Sequence, residues 1–264
     1  MTLPQLVATD LDGTLLDDDG RLSARTRDVL RRVQEQGVRV VIVTARPLRW
    51  MDELWAEVGG GRGVGIVSNG AITYDVASRE VLHHVGIEAA DGLGMVEAIR
   101  EAAPDAAFAL ECLGGFRHEP AYVEMHPSPP DVRVGPLEEI WDEPAVKVLV
   151  QDLVLDPEDF RTRVVAAVGD RATPTWTTDR LMEISAGGVT KGGALAALCQ
   201  RLGIAAADVV AFGDMPNDLP MLRWAGTSYA VANGHPSVRA AADHVAPANT
   251  DDGVATVLAG IFGL

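Results

Sequence analysis

The sequence predicts a doubly wound α/β core built on a parallel sheet, with a separate α+β domain inserted in its middle. Three observations carry that reading. Short apolar runs alternate with helical patterns up to residue 83 and again from residue 187, the alternation expected of βαβ units. One run, VRVVIVTAR (Val38–Arg46), is almost continuously β-branched, as in a strand covered by helices on both faces. Between residues 84 and 186 the texture changes to proline-rich connections and neighbouring strand patterns. That texture suits a mostly antiparallel sheet with helices on one face.

The first core stretch opens with a short buried strand, Leu6–Thr9. Ser23 then starts a helix with Val29, Leu30 and Val33 on one face, and Gly37 stops it. After the strand in VRVVIVTAR, Pro47 opens a helix with Leu48, Met51, Trp55 and Val58 at helical spacing. The glycine-rich GGGRGVG (59–65) reads as a loop rather than a phosphate-binding P-loop, because it lacks the Gly-Lys-Ser/Thr ending. IVSNGA (Ile66–Ala71) is a third short strand that ends in polar residues, and His83-His84 point to opposite faces of a strand.

In the inserted stretch a helical pattern spans Ala89–Ala103, followed by DAAFALE (105–111), AYVEM (121–125) and the proline-rich 126–136. AVKVLVQ (145–151) is a strand, Asp156-Pro157 starts a helix, and ATPTWTT (172–178) and LMEIS (181–185) are two more strands. The α/β alternation then returns. A helix at KGGALAALCQRLGI precedes a strand at DVVAFGD, a helix at DLPMLRWAG and a strand at SYAVANG. SVRAAADHVA supplies a helix and an edge strand, and DGVATVLAGIF a closing helix. The domains expected are therefore a discontinuous core, 1–83 with 187–264, and an insertion, 84–186.

Composition narrows the function classes. The formal net charge of −16 disfavours nucleic acid and anionic membranes as partners. An anionic substrate would need a local positive centre. Two cysteines, Cys112 and Cys199, support neither a disulfide framework nor a cysteine zinc cluster. The first residues lead straight into an apolar run, without a signal-like segment or a bilayer-length stretch. A cytoplasmic monomer or homodimer is expected.

The chemistry concentrates at strand ends, where parallel sheets bind ligands. Four strands end in TDLDGT, VTAR, VSNG and FGDMPND, and TKGG places Lys191 at a helix start. Folding is expected to gather Asp10, Asp12, Thr44, Lys191 and Asp214 along one rim. Carboxylates with a few carbonyls suit Mg2+, a hard cation that prefers oxygen ligands. Asp10 and Asp214 would supply carboxylates to it and Asp12 its backbone carbonyl. Lys191, Thr44 and the backbone N–H groups of Leu11 and Ala45 would hold a phosphate. Asp10 is then the expected nucleophile, and Asp12 the acid and base. Arg46 is read evenly as a substrate contact or as the partner of a surface acid, and Asp17–Asp19 as a solvated turn.

DLDGTLL, VTAR, TKGGAL and GDMPNDLPML together resemble the haloacid dehalogenase-like (HAD) phosphatase superfamily, in particular its Cof-like branch. SNGA and the tail from Tyr229 extend the likeness over the whole core. The resemblance implies a Rossmann-like core with a large α/β cap, and an Mg2+-dependent phosphatase acting on small soluble phosphate monoesters through an aspartyl-phosphate. Sugar phosphates, nucleotides and cofactor phosphates are the implied substrates. By matching position it implies Asp10 as nucleophile and metal ligand, and Asp12 as acid/base and carbonyl ligand. Thr44, Lys191 and Asn217 contact phosphate, Asp214 binds Mg2+, and Asp218 steadies the metal's waters. One departure is Ala45, where many relatives carry glycine; its backbone N–H survives the change.

Three other readings fit less well. A receiver module also combines acidic residues, Thr and Lys, but it is shorter and has no use for Asp12. A phosphomutase would isomerise a sugar phosphate instead of releasing phosphate. A dehalogenase would lack the acid at position 12.

Overall fold

The computed structural model describes residues 3–59, 63–125 and 129–264. Residues 60–62 of the glycine-rich stretch and 126–128 of the proline-rich connection lie outside the described residues. The chain divides into two units, Met1–His83 with Thr190–Leu264, and His84–Val189.

The first unit begins with β1 (Leu6–Thr9), α1 (Ala24–Glu35), β2 (Arg39–Val43), α2 (Asp52–Gly59), β3 (Val64–Val67), β4 (Ile72–Asp75) and β5 (Glu80–His84). The second contains α3 (Ala89–Ala102), β6 (Ala107–Cys112), β7 (Gly115–His118), β8 (Arg133–Val134), α4 (Leu137–Ile140), β9 (Ala145–Gln151), α5 (Pro157–Val168), β10 (Ala172–Thr178) and β11 (Leu181–Ala186). The first unit resumes with α6 (Lys191–Leu202), β12 (Val209–Gly213), α7 (Leu219–Trp224), β13 (Thr227–Val231), α8 (Pro236–Ala241), β14 (His244–Ala246) and α9 (Gly253–Phe262).

The core sheet runs β14-β13-β12-β1-β2-β3-β4-β5 and is parallel from β14 through β3. Strand order reverses between β12 and β1, so a crevice opens at their carboxyl ends. Leu6–Thr9 sits in register with Val209–Phe212 on one side and Arg39–Ile42 on the other. Buried residues of β1, β2, β3 and β12 pack with Leu195, Leu198 and Cys199 of α6 and Met221 and Leu222 of α7. On α1, Val29, Leu30 and Val33 are buried, and α1 lies beside α9. Ser23 caps α1 by accepting from Thr26 N at 2.9 Å.

Two core elements differ from the sequence reading. The helix expected from Pro47 is split into a 3-10 turn, Leu48–Trp50, and α2, with Met51 between. The expected apolar face survives, because Met51, Trp55 and Val58 are all buried. The parallel sheet is also extended by β4, which pairs antiparallel with β3. The tight turn at Ser68–Gly70 leaves too few residues for a parallel crossover.

In the second unit the sheet order is β10-β11-β9-β6-β7-β8, with antiparallel neighbours except the parallel β7–β8 pair. Phe108, Leu110, Val148, Val150, Met182 and Ile184 form one core with Met95, Val96 and Ile99 of α3 and Phe160 and Val164 of α5. Ala121–Met125 is turn and irregular chain rather than strand. The Gln151 side chain bonds both the N–H and the carbonyl of Val123 there, replacing a strand ladder. Both cysteines are free and buried, and burial pushes the Cys112 thiol up to about 12 and Cys199 to about 11. Among the described residues no helix is long and apolar enough to cross a membrane.

Candidate active site

Each expected core residue sits just past a strand or at a helix start, where the fold fixes its backbone before its side chain acts. Asp10 follows β1, and its N–H donates to Phe212 O at 3.1 Å. Thr44 follows β2, with its N–H on Ile66 O at 2.9 Å. Lys191 is the first residue of α6, capped by Thr190 Oγ1, which accepts from Gly193 N at 3.0 Å. Asp214 follows β12, and a 3-10 turn at Pro216–Asp218 carries Asn217 and Asp218. All six of these side chains are buried.

Lys191 Nζ lies 2.8 Å from Asp10 Oδ1 and 2.6 Å from Asp218 Oδ1. The other Asp218 oxygen accepts the N–H groups of Asp214 and Met215, both at 3.0 Å. With both oxygens engaged, Asp218 orients Lys191 and closes the turn after β12. Asp214 Oδ1 accepts Thr14 Oγ1 at 2.7 Å. The turn after β1 must come very close to Asp214: Gly13 has φ 74°, and a Cβ there would lie 2.5 Å from Asp214 Oδ2. Only glycine meets both demands.

Asp12 stands apart from this cluster. Its side chain is 54% exposed and is gripped in two places by Arg46, through Nε at 2.8 Å and Nη2 at 2.6 Å. Arg46, read from sequence either as a substrate contact or as the partner of a surface acid, pairs here with Asp12. Leu11 is fully buried, and its carbonyl accepts the N–H groups of Thr14, Leu15 and Leu16. Ala45, half-buried, lies in the turn after β2. Asn217 Nδ2 donates to Asn69 Oδ1 at 3.0 Å. Sequence reasoning did not assign roles to Thr14, Asn69 or Asn233, whose Nδ2 donates to Gly13 O at 2.7 Å. Thr14 was visible as the last residue of DLDGT, whereas Asn69 and Asn233 carry only short polar signals at strand ends.

Electrostatics show what the cluster lacks. Burial pushes the Asp10 carboxyl well above its ordinary range, and the charges of Asp218 and Asp214 add to this against Lys191. Burial, with Asp218 next, raises Asp214 to about 6. Burial alone would lower Lys191, but Asp10 and Asp218 outweigh it and hold the ammonium charged. One lysine thus faces three carboxylates whose oxygens lie within 4.8 Å of one another. An all-oxygen donor set short of positive charge fits a hard divalent cation. Asp10 and Asp214 retain the capacity to hold one, while Asp218 is committed to Lys191 and backbone N–H groups.

A family model for haloacid dehalogenase-like hydrolases matches residues 7–258. A phosphoglycolate phosphatase of Methanopyrus kandleri is 31% identical over 256 residues, covering 97% of this chain and 96% of that one. A 5-amino-6-(5-phospho-D-ribitylamino)uracil phosphatase of Bacillus subtilis is 28% identical over 261 residues, covering 96% and 94%. A Streptococcus mutans protein of known crystal structure superposes with a TM-score of 0.88 at 26% identity, covering 99% and 100%.

Proposed function

The chain belongs to the haloacid dehalogenase-like hydrolase family, and from that premise we propose that it is a Mg2+-dependent cytoplasmic phosphatase hydrolysing small phosphate monoesters through an aspartyl-phosphate. Sugar phosphates, nucleotides and cofactor phosphates are the substrate classes proposed. The observation that carries the reading is the buried Lys191 ammonium held at 2.8 Å from Asp10 Oδ1 and 2.6 Å from Asp218 Oδ1. A receiver module also sets a lysine among acidic residues, but it has no use for the acid Asp12, which stands apart from this cluster, paired to Arg46. A phosphoryl-transfer site uses both, the lysine because three equatorial oxygens must be neutralised as they react.

Asp10 and Asp214 would hold Mg2+, which when bound supplies positive charge against the phosphate oxygens and the carboxylates. The remaining steps belong to the chain's own residues. Lys191, Thr44, Asn217 and the backbone N–H groups of Leu11 and Ala45 bind the phosphate. An Asp10 oxygen attacks phosphorus as the ester oxygen departs, and Asp12 gives that oxygen its proton. Asp12, now a carboxylate, then takes a proton from water as the water oxygen attacks the same phosphorus. Phosphate leaves and Asp10 is restored. Arg46 holds Asp12 in place for both transfers. The inserted unit, 84–189, is assigned the selection of the leaving group.

The test is phosphate release from p-nitrophenyl phosphate and from a panel of phosphorylated metabolites, with Mg2+ and with chelator. Turnover with Mg2+, its loss on Asp10→Asn and acid-stable labelling of Asp10 are expected. Equal turnover by Asp10→Asn would remove the covalent route.

A further inference from the structure

The turn Ser68-Asn69-Gly70 after β3 concentrates features that a strand connection does not need. Ser68 and Asn69 adopt φ of 51° and 58°, and Gly70 follows at 104°. Two consecutive non-glycine residues in the left-handed region are strained, and such strain persists only where surrounding structure enforces it. Here the enforcement is visible. Ser68 N donates to Arg46 O at 2.9 Å, and Asn69 N to Thr44 O at 3.0 Å. A Cβ on Gly70 would lie 2.4 Å from Thr190 O, so the turn presses on the residue that caps the Lys191 helix. Asn69 Oδ1 accepts from Asn217 Nδ2 at 3.0 Å. The turn therefore touches the segments bearing Thr44, Arg46, Lys191 and Asn217.

The same place holds unsatisfied polar atoms. Ser68 Oγ and Asn217 Oδ1 are buried, with no hydrogen-bond partner among the described residues. Ser68 is fully buried and Asn217 is 9% exposed. Buried polar groups are ordinarily paired, and an exception calls for an explanation such as a bound ion or water. Strain in this turn, a buried Ser68 hydroxyl able to donate and an Asn217 amide held by Asn69 across two turns point to binding rather than to folding.

We infer that Asn69 is a positioning residue for phosphate binding: its carbonyl oxygen fixes the Asn217 amide plane, and the strained turn holds Asn69 there. With one Nδ2 proton committed to Asn69, the orientation of the second is set, and it is offered to an oxyanion. This inference rests on the phosphatase reading, and it adds residues that the strand-end motifs do not supply.

Asn69→Gly tests it, because glycine adopts this backbone freely and removes only the carboxamide. Competitive inhibition by inorganic phosphate is measured against p-nitrophenyl phosphate with Mg2+, alongside melting temperature. The expected result is about a tenfold weaker phosphate Ki and a raised KM in Asn69→Gly, with melting lowered by no more than the loss of one buried hydrogen bond accounts for. In an Asn217→Ala background the same change should add less than about twofold, since the bond is already gone. An active wild type with unchanged Ki in Asn69→Gly overturns the inference and leaves the phosphatase reading standing. Fully multiplicative effects in the double variant overturn it as well. A wild type that releases phosphate from no ester overturns the phosphatase reading itself.

Discussion

Replacing Lys191 with methionine, which is of similar length but uncharged, isolates the electrostatic bargain at the site. Lys191 is 1% exposed and lies 2.8 Å from Asp10 Oδ1 and 2.6 Å from Asp218 Oδ1. At an effective dielectric of about 20, each such contact is worth about 6 kcal/mol before the lysine's own desolvation is set against it. What remains is the cost of leaving carboxylates buried without their cation, about 3–5 kcal/mol. For a chain of this size that corresponds to a fall in Tm of about 6–20 °C. Calorimetry in chelator at pH 7 reads it directly.

The pH dependence separates this cause from lost packing. In the parent protein Asp214 is raised to about 6 from 3.8, and Asp10 is raised as well. A carboxyl raised in the folded state binds more protons there than in the unfolded chain, so its contribution falls as pH climbs from about 4 through the folded value. Without Lys191 both groups should rise further, extending that decline to higher pH. The deficit of Lys191→Met should accordingly be large at pH 7–8 and should shrink near pH 5, where the cluster protonates. A deficit below about 1 kcal/mol, or one constant from pH 5 to 8, would refute the electrostatic account.

Three further outcomes are expected. Asp10→Asn should end turnover yet raise Tm in chelator by about 2–6 °C, as one of three crowded carboxylates is neutralised; scanning calorimetry and phosphate release check the two halves. Saturating Mg2+ at about 100 times its Kd should stabilise the parent by about 2.7 kcal/mol and Asp214→Asn much less, with Ca2+ a poor substitute in turnover. Arg46→Met should release Asp12 and cut kcat on alkyl phosphates by roughly 10–100-fold. The loss should be smaller on p-nitrophenyl phosphate, whose leaving group needs little protonation; equal losses would argue against Arg46 acting through Asp12.

The core was legible because its signals are backbone signals. Val38–Val43 is β-branched apart from Arg39, Ser23 and Thr190 cap the helices they precede, and Asp10 and Asp214 directly follow strands. Where a connection depends on one side chain, the sequence was mute. Val123 is held by the Gln151 amide, which no periodicity reveals. The β3–β4 reversal turns on left-handed conformations at Ser68 and Asn69; its Asn-Gly pair is a turn signal that the sequence reading took only as a polar strand end.

The site divides along the same line. Asp10, Lys191 and Asp214 could be found in the sequence because chemistry demands those residue types, and strand ends deliver them to one rim. What fixes their mutual geometry is of another kind. Asp218 spends one oxygen on Lys191 and the other on two backbone N–H groups, and Gly13 clears space for Asp214. The Gly13–Asp214 contact joins segments about two hundred positions apart, and Lys191 and Asp218 meet across 27 positions; a single sequence records such contacts only as ordinary small or polar residues. The acidic cluster also explains why the supports must be so rigid. Three carboxylates around one ammonium repel unless backbone and side-chain donors fix each oxygen, so Thr14 on Asp214 and the paired N–H groups on Asp218 hold open a site that electrostatics alone would rearrange. Loosening any support should therefore appear first as weaker cation and phosphate binding, before the fold itself is affected.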